Sequence, residues 1–201
     1  MQSTRILSGL LVALVTAVLC SWVFLPDQRI ESLIENKTSI KVEKKELSLH
    51  ANEGRVYFNN LPFDGWSVQY HLNGQLAEQI QFIEGKKMGM TNRWYQDGTL
   101  SYTAQHKANR LDGEVKSWWP NGVLRSQSNF VNGRADGTQY QWYKSGKPFK
   151  EINLKMGLEE GLQRAWRENG KLYTNYEAKN GRIFGLKRAS LCYELGDETI
   201  L

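Results

Sequence analysis

The stretch "GWSVQYHLNGQLAEQIQFIEG", residues 65–85, alternates apolar and polar positions in two runs. One run passes through Trp66, Val68 and Tyr70, the other through Leu76, Ile80 and Phe82, with Asn73-Gly74 between them and Gly85 at the end. A period of two bounded by glycine is the pattern of β-strands joined by tight turns. The pattern returns every 24 residues: Gly74, Gly98, Gly122, Gly146 and Gly170 form one series, and Gly65, Gly89, Gly113, Gly137, Gly161 and Gly185 a second. A third series runs Gly85, Asn109, Gly133, Gly157 and Gly181. Its exception is asparagine, the side chain that best tolerates positive φ, which marks a backbone requirement. An aromatic column (Tyr70, Trp94, Trp118, Trp142, Trp166) and an aliphatic one (Leu76, Leu100, Leu124, Pro148, Leu172) keep the same phase without an insertion. The chain is therefore an array of internal repeats, each of two strands and two turns. Its expected fold is all-β, an elongated antiparallel meander of tandem 24-residue hairpins.

Parity selects the turn. A two-residue loop at Asn73-Gly74 sets Tyr70 against Ala77. A three-residue loop, a type I turn closed by a glycine bulge, sets Tyr70 against Leu76 and gives nearly every unit an aromatic–aliphatic cross-strand pair. Pro120 favours the second, because it then takes the first central position of a type I turn. On this reading the apolar side chains share one face. The other carries an amide-rich ladder, Gln79, Thr103, Gln127, Glu151 and Asn175 beside Gln81, Gln105, Asn129, Asn153 and Glu177. Nearer the hairpin tips that second face also carries Tyr95, Trp119 and Tyr143, with Phe149 and Tyr173 close by. Flanked by Arg125 and Lys147, these five aromatics form a strip suited to a protein or a glycan, or to packing that covers the sheet.

Two strands per unit advance the sheet by roughly 10 Å, so five units give a length on the order of 50 Å, held mainly by neighbour-to-neighbour contacts. Residues 54–60, "GRVYFNN", are expected as the second strand of a degenerate leading unit, with Val56 and Phe58 in register with Ile80 and Phe82. Residues 185–195 begin a sixth unit, and Ser190 in the aromatic column marks a C-terminal cap.

Ahead of the repeats, residues 6–25 are uncharged and apolar. As a helix they would cover about 30 Å, the thickness of a bilayer core. Arg5 before them and Asp27, Arg29 and Glu31 after them orient the segment with its N-terminus inside and the remaining chain outside the cytoplasm. A retained anchor, lipidation at Cys20 and simple cleavage all give that placement. The expected organisation is an anchor or signal at 1–25, a stalk and N-terminal cap at 26–53, the repeat domain at 54–195 and a tail at 196–201.

The pattern aromatic-x-x-Asn-Gly-x-Leu, followed by Gly-x-x-x-Gly, is carried by "NRWYQDGTL", "KSWWPNGVL" and "QRAWRENGKL". It resembles the bacterial MORN-repeat variant found in YwqK-family antitoxins, and "YFNNLPFDGW" resembles that family's usual opening unit. The resemblance covers residues 54–195. It implies a non-enzymatic binding scaffold, and the antitoxin label implies neutralisation of a toxic partner protein.

The residues themselves offer little chemistry. His50, His71 and His106 fall at unrelated repeat positions, and the two cysteines, Cys20 and Cys192, make neither a disulfide framework nor a zinc signature. Glu159 and Glu160 are adjacent and diverge when extended, and no nucleophile elbow or phosphate loop is present. His106 breaks a Phe/Leu column in the unit that has Asn109 in place of glycine, which leaves local function or repeat drift open. The formal charge of +5 is spread among 21 acids, as on a solvated surface, and no nucleic-acid partner is expected. The sequence thus reads as a membrane-anchored scaffold without cofactor or metal that binds another protein, with self-association through the sheet edges open. The alternative is a cell-envelope protein that binds lipid headgroups, glycan or peptidoglycan.

Overall fold

The computed structural model describes residues 40–186. The expected anchor at 6–25, the first part of the stalk, the sixth unit's continuation and the tail lie outside the described residues. Among the described residues no helix is long and apolar enough to cross a membrane.

The described chain opens with β1 (Lys41–Glu43), a 3-10 turn at Lys44–Glu46, β2 (Ser48–His50), β3 (Arg55–Phe58) and β4 (Leu61–Pro62). The repeats follow as β5 (Gly65–Tyr70), β6 (Leu76–Ile83), β7 (Lys86–Trp94), β8 (Leu100–Lys107), β9 (Arg110–Trp118) and β10 (Leu124–Val131). They continue with β11 (Arg134–Ala135), β12 (Gly137–Trp142), β13 (Pro148–Lys155), β14 (Leu158–Trp166), β15 (Leu172–Lys179) and β16 (Arg182–Leu186). From β5 to β16 the order in the sheet follows the order in the chain, with β11 pairing only β10, so the repeats form the expected antiparallel meander. The N-terminal end departs from it. β1 pairs parallel with β5, while β2, β3 and β4 make a separate small sheet. Val56 and Phe58 therefore do not extend the repeat sheet as a leading strand. They pack instead on a core of Val42, Phe63, Ile80 and Phe82 and close that end of the array.

The register follows the parity argument. Tyr70 faces Leu76, and the pairs Trp94–Leu100, Trp118–Leu124, Trp142–Pro148 and Trp166–Leu172 repeat it. At each of these tips the N–H of the fourth turn residue, a glycine with φ between 79° and 85°, returns to the first residue's carbonyl, as in Gly122 N to Trp119 O at 2.8 Å. Pro120 sits at the first central position of that turn. The opposite strand ends use two-residue turns in which both residues have positive φ: Glu84-Gly85, Ala108-Asn109, Asn132-Gly133, Met156-Gly157 and Asn180-Gly181. This is the type I′ geometry that suits strand twist.

A bulge beside each tip changes the facing. Gln69 pairs with Glu78 while Tyr70 pairs with Leu76, so Ala77 is an extra residue and the faces exchange there. Gln79, directly opposite Val68, consequently lies on the same face as Tyr70. The expectation that the amide ladder opposes the aromatic column is overturned: Trp94, Leu100, Asn92 and Thr103 share one face, and the other repeats match. The second face carries Ile80 and Phe82, the buried Ala104 and Val115, and the strip of Tyr95, Trp119 and Tyr143.

The Gly65 series also serves a different purpose from a strand boundary. β7, β9 and β14 run through Gly89, Gly113 and Gly161, and the register beside them slips by two residues, as between Ile80–Thr91 and Phe82–Lys87. The slip leaves backbone groups of the neighbouring strand without a ladder partner. Near the C-terminal end the buried Gln163 fills this role, accepting from Asn153 N at 2.9 Å and donating to Asn153 O at 2.8 Å.

Candidate functional site

The strip lies on the second face at the tip end of the strands. Three of its members, Tyr95, Trp119 and Tyr143, directly follow the aromatic-column residues Trp94, Trp118 and Trp142, so alternation alone sends them to the opposite face. Their polar atoms are engaged between repeats. Tyr95 Oη donates to Trp118 O at 2.7 Å, Trp119 Nε1 to Trp142 O at 3.1 Å and Tyr143 Oη to Trp166 O at 2.8 Å. His71 Nε2 meets Trp94 O at 2.9 Å in the equivalent place, a member of the column that the sequence reading did not include. The carbonyls reached in this way belong to the next repeat, so the strip also ties consecutive hairpins together.

The ring surfaces remain half-exposed. Arg125 lies over Trp119 at 4.6 Å, Phe149 packs on Tyr143 at 4.9 Å and the Lys150 ammonium stands 4.8 Å from the Phe149 ring centre. Phe149 is the bulge residue of its repeat, which brings it to the strip's face. Tyr102, Trp119, Arg125, Gln141 and Phe149 line a shallow groove of about 410 Å³. Tyr173 lies one repeat further on and lines a separate recess of about 300 Å³ with Lys150, Glu159 and Tyr176. Of the five aromatics of the strip, Trp119 and Phe149 line the groove and Tyr173 the recess, while Tyr95 and Tyr143 line neither.

Titratable groups along this face are occupied in structural bonds. Burial pushes the Tyr176 hydroxyl up to about 12, and its hydrogen bond to Glu159 at 2.9 Å acts in the same direction. Burial also raises Tyr143, with Tyr173 and Glu168 adding to it, and raises Tyr102 against the opposing charge of Arg93. Burial, with nearby Lys87 adding to it, lowers the His106 imidazole below its ordinary range, and its ring meets Thr91 Oγ1 at 3.3 Å. Asn109, its neighbour in the divergent unit, has φ 70°. Its carboxamide accepts from Lys87 N and donates to Gly54 O at 2.7 Å. The exception in the glycine column therefore fastens the N-terminal cap to the array. No group of three His, Cys, Asp or Glu side chains able to hold a metal occurs among the described residues. Glu159 bonds to Tyr176 and does not pair with Glu160 as an acid and base.

A further column escaped the sequence reading although it was visible there. Asp64, Asp112 and Asp136 precede glycines of the second series, and each accepts from the N–H of a positive-φ residue twenty positions on, Glu84, Asn132 and Met156. The recurrence of Asp-Gly at the repeat period was its signal.

Comparison with known proteins agrees with the repeat. The MORN repeat variant matches residues 64–84, 111–132 and 135–156. No curated protein matches the chain. Among solved structures, the crystal structure of accessory secretory protein 1,2 and 3 in Streptococcus pneumoniae matches at 12% identity with a TM-score of 0.22. That match covers 73% of this chain and 24% of that one, and at this score it carries no weight for fold or function. Three units of this chain thus match a repeat whose sheets are typically non-catalytic.

Proposed function

We propose that the protein is a non-enzymatic, membrane-anchored repeat scaffold that holds a partner protein along the aromatic strip outside the cytoplasm. The observation that carries this reading is the groove lined by Tyr102, Trp119, Arg125 and Phe149. Aromatic and arginine side chains on a rigid sheet are the groups that dominate protein interfaces, and hydrogen bonds between repeats hold Trp119 in place before a partner arrives. The resemblance to YwqK-family proteins supports a neutralising role, as antitoxin or immunity factor. A second reading, envelope glycan binding, draws on the facing exchange, which sets the amide ladder beside the tryptophan column on one face.

Affinity capture of the full chain from its own membrane tests the first reading. A protein partner is expected, retained by Lys41→Glu and lost with Arg125→Glu, whose side chain is exposed and makes no bond needed by the fold. Capture of no protein, or equal capture by both variants, overturns it. Binding to isolated sacculi in its place favours the second reading. The neutralising role requires in addition that the captured partner be toxic when this protein is absent.

A further inference from the structure

The type I′ turns at the opposite strand ends carry an unusual distribution of charge. The closing pair of each turn is directly opposed across the strands, and its two side chains share a face. In two of these turns both members are cations, Lys107 opposite Arg110 and Lys179 opposite Arg182. Like charges directly opposed across strands are destabilising. The remaining turns each have one cation, Lys86 opposite Ile83, Arg134 opposite Val131 and Lys155 opposite Leu158. None of these cations forms an ion pair among the described residues. The nearby Asp64, Asp112 and Asp136 are turned toward backbone N–H groups.

Alternation places all of these cations on the face of the tryptophan column. The next row inward, on the other face, has Lys87 opposite Phe82 and Glu159 opposite Leu154 as its charged members and is otherwise uncharged: His106 with Leu111, Phe130 with Ala135 and Ala178 with Ile183. Successive turns are tied to the repeat before them by N–H groups, Asn109 N to Lys87 O at 3.0 Å, Gly133 N to Leu111 O at 2.7 Å and Gly157 N to Ala135 O at 2.7 Å. The result is a row of cations along one face, advancing about 10 Å per repeat.

We propose that this row is a binding rail for a flexible, linear phosphate polymer that runs perpendicular to the strands. A chain of closely spaced phosphates meets every turn in succession and offsets the repulsion within the Lys107–Arg110 and Lys179–Arg182 pairs. A flat anionic bilayer fits less well, because Glu114, Glu151 and Glu177 stand further in on the same face. Single-stranded nucleic acid lacks stacking partners here: the side chains beside the row are Gln105, Asn129 and Asn153, with no aromatic ring among them. The rail lies on the face opposite the aromatic strip and at the other end of the strands, so it is independent of the partner-protein reading.

The test is binding of long-chain inorganic polyphosphate to the full chain in non-ionic detergent, followed by fluorescence anisotropy across a salt series. Affinity is expected to fall with salt, and the double variant Lys107→Gln/Arg110→Gln to bind about tenfold more weakly with a shallower salt dependence. The same double variant at the tips, Lys144→Gln/Lys147→Gln, is expected to bind as the parent does. Because Lys107→Gln/Arg110→Gln removes a repulsive pair, its thermal stability should equal or exceed the parent's, which separates lost binding from lost fold. Absence of binding at low salt, equal weakening by the tip variant, or tighter binding to phosphatidylglycerol vesicles or single-stranded DNA than to polyphosphate overturns the proposal.

Discussion

The hydroxyl of Tyr95 donates to the carbonyl of Trp118 at 2.7 Å across consecutive repeats. Trp119 with Trp142 and Tyr143 with Trp166 repeat the relationship, so the strip that presents rings to solvent is also a series of fasteners. In a repeat array each unit is stabilised mainly by its neighbours, and such a bond adds to the coupling between them. Tyr95→Phe keeps the ring and removes the donor. It is expected to destabilise the array by about 1 kcal/mol, whereas Tyr140→Phe, with an exposed hydroxyl on the other face, leaves it unchanged. Chemical denaturation of the two variants decides the point, and equal midpoints would remove the fastening role.

Glycines of different columns should respond differently to a side chain. Gly122 has φ 79° and open space where a Cβ would stand, so its requirement is conformational only. Gly65 has φ 143°, and a Cβ there would collide with the Ile40 carbonyl and crowd the Phe63 ring. Gly122→Asn is therefore expected to lose less than about 1 kcal/mol, since asparagine visits the left-handed region readily. Gly65→Asn should release β1 from β5, because the Ile40 carbonyl it displaces accepts the Trp66 N–H at 2.7 Å. Hydrogen exchange at Trp66 reads the difference, and protection equal to the parent's in Gly65→Asn would refute it.

The repeat, the turn type and the Tyr70–Leu76 register were legible because each depends on residues with narrow backbone preferences at fixed spacing. Pro120 and Asn109 are the clearest cases. The facing was not legible. The bulge residue is Ala77, Ser101, Arg125, Phe149 or Tyr173 in successive units, and no shared side chain announces it. One unpaired residue reverses every assignment beyond it, which is why Gln79 and Tyr70 were set on opposite faces. The small N-terminal sheet was missed for a related reason. Val56 and Phe58 keep the apolar spacing of a repeat strand, but they use it to cover the end of the array.

Gln163 tests whether the two-residue slips need a side chain to complete the ladder. Its carboxamide bonds both backbone groups of Asn153, and the residue is buried. Gln163→Met retains the length and removes both bonds, leaving a donor and an acceptor short of partners. A loss of about 1–3 kcal/mol is expected, against little change for Gln79→Met on the open amide ladder. If the two substitutions are equivalent by thermal denaturation, the slipped register is held by glycine alone.

Glu78 gives the fold a pH dependence with a definite sign. Its carboxylate, 11% exposed, receives Lys44 Nζ from the 3-10 turn and Arg93 Nε from β7, both at 2.7 Å. Burial alone raises its pKa, but the hydrogen bonds and charges of Lys44 and Arg93 outweigh it and hold the group below the ordinary value of 4.5. A carboxyl with a depressed folded pKa contributes stability that is fully present above that ordinary value and is lost as pH falls through the folded one. Acidification should therefore first loosen the contact between the 3-10 turn and the repeat sheet. Glu78→Gln removes the titration, so its stability should be lower than the parent's at neutral pH and should change less on acidification through this range. Thermal unfolding measured as a function of pH provides the check: parallel profiles for the two proteins would show that Glu78 does not link the cap to the array.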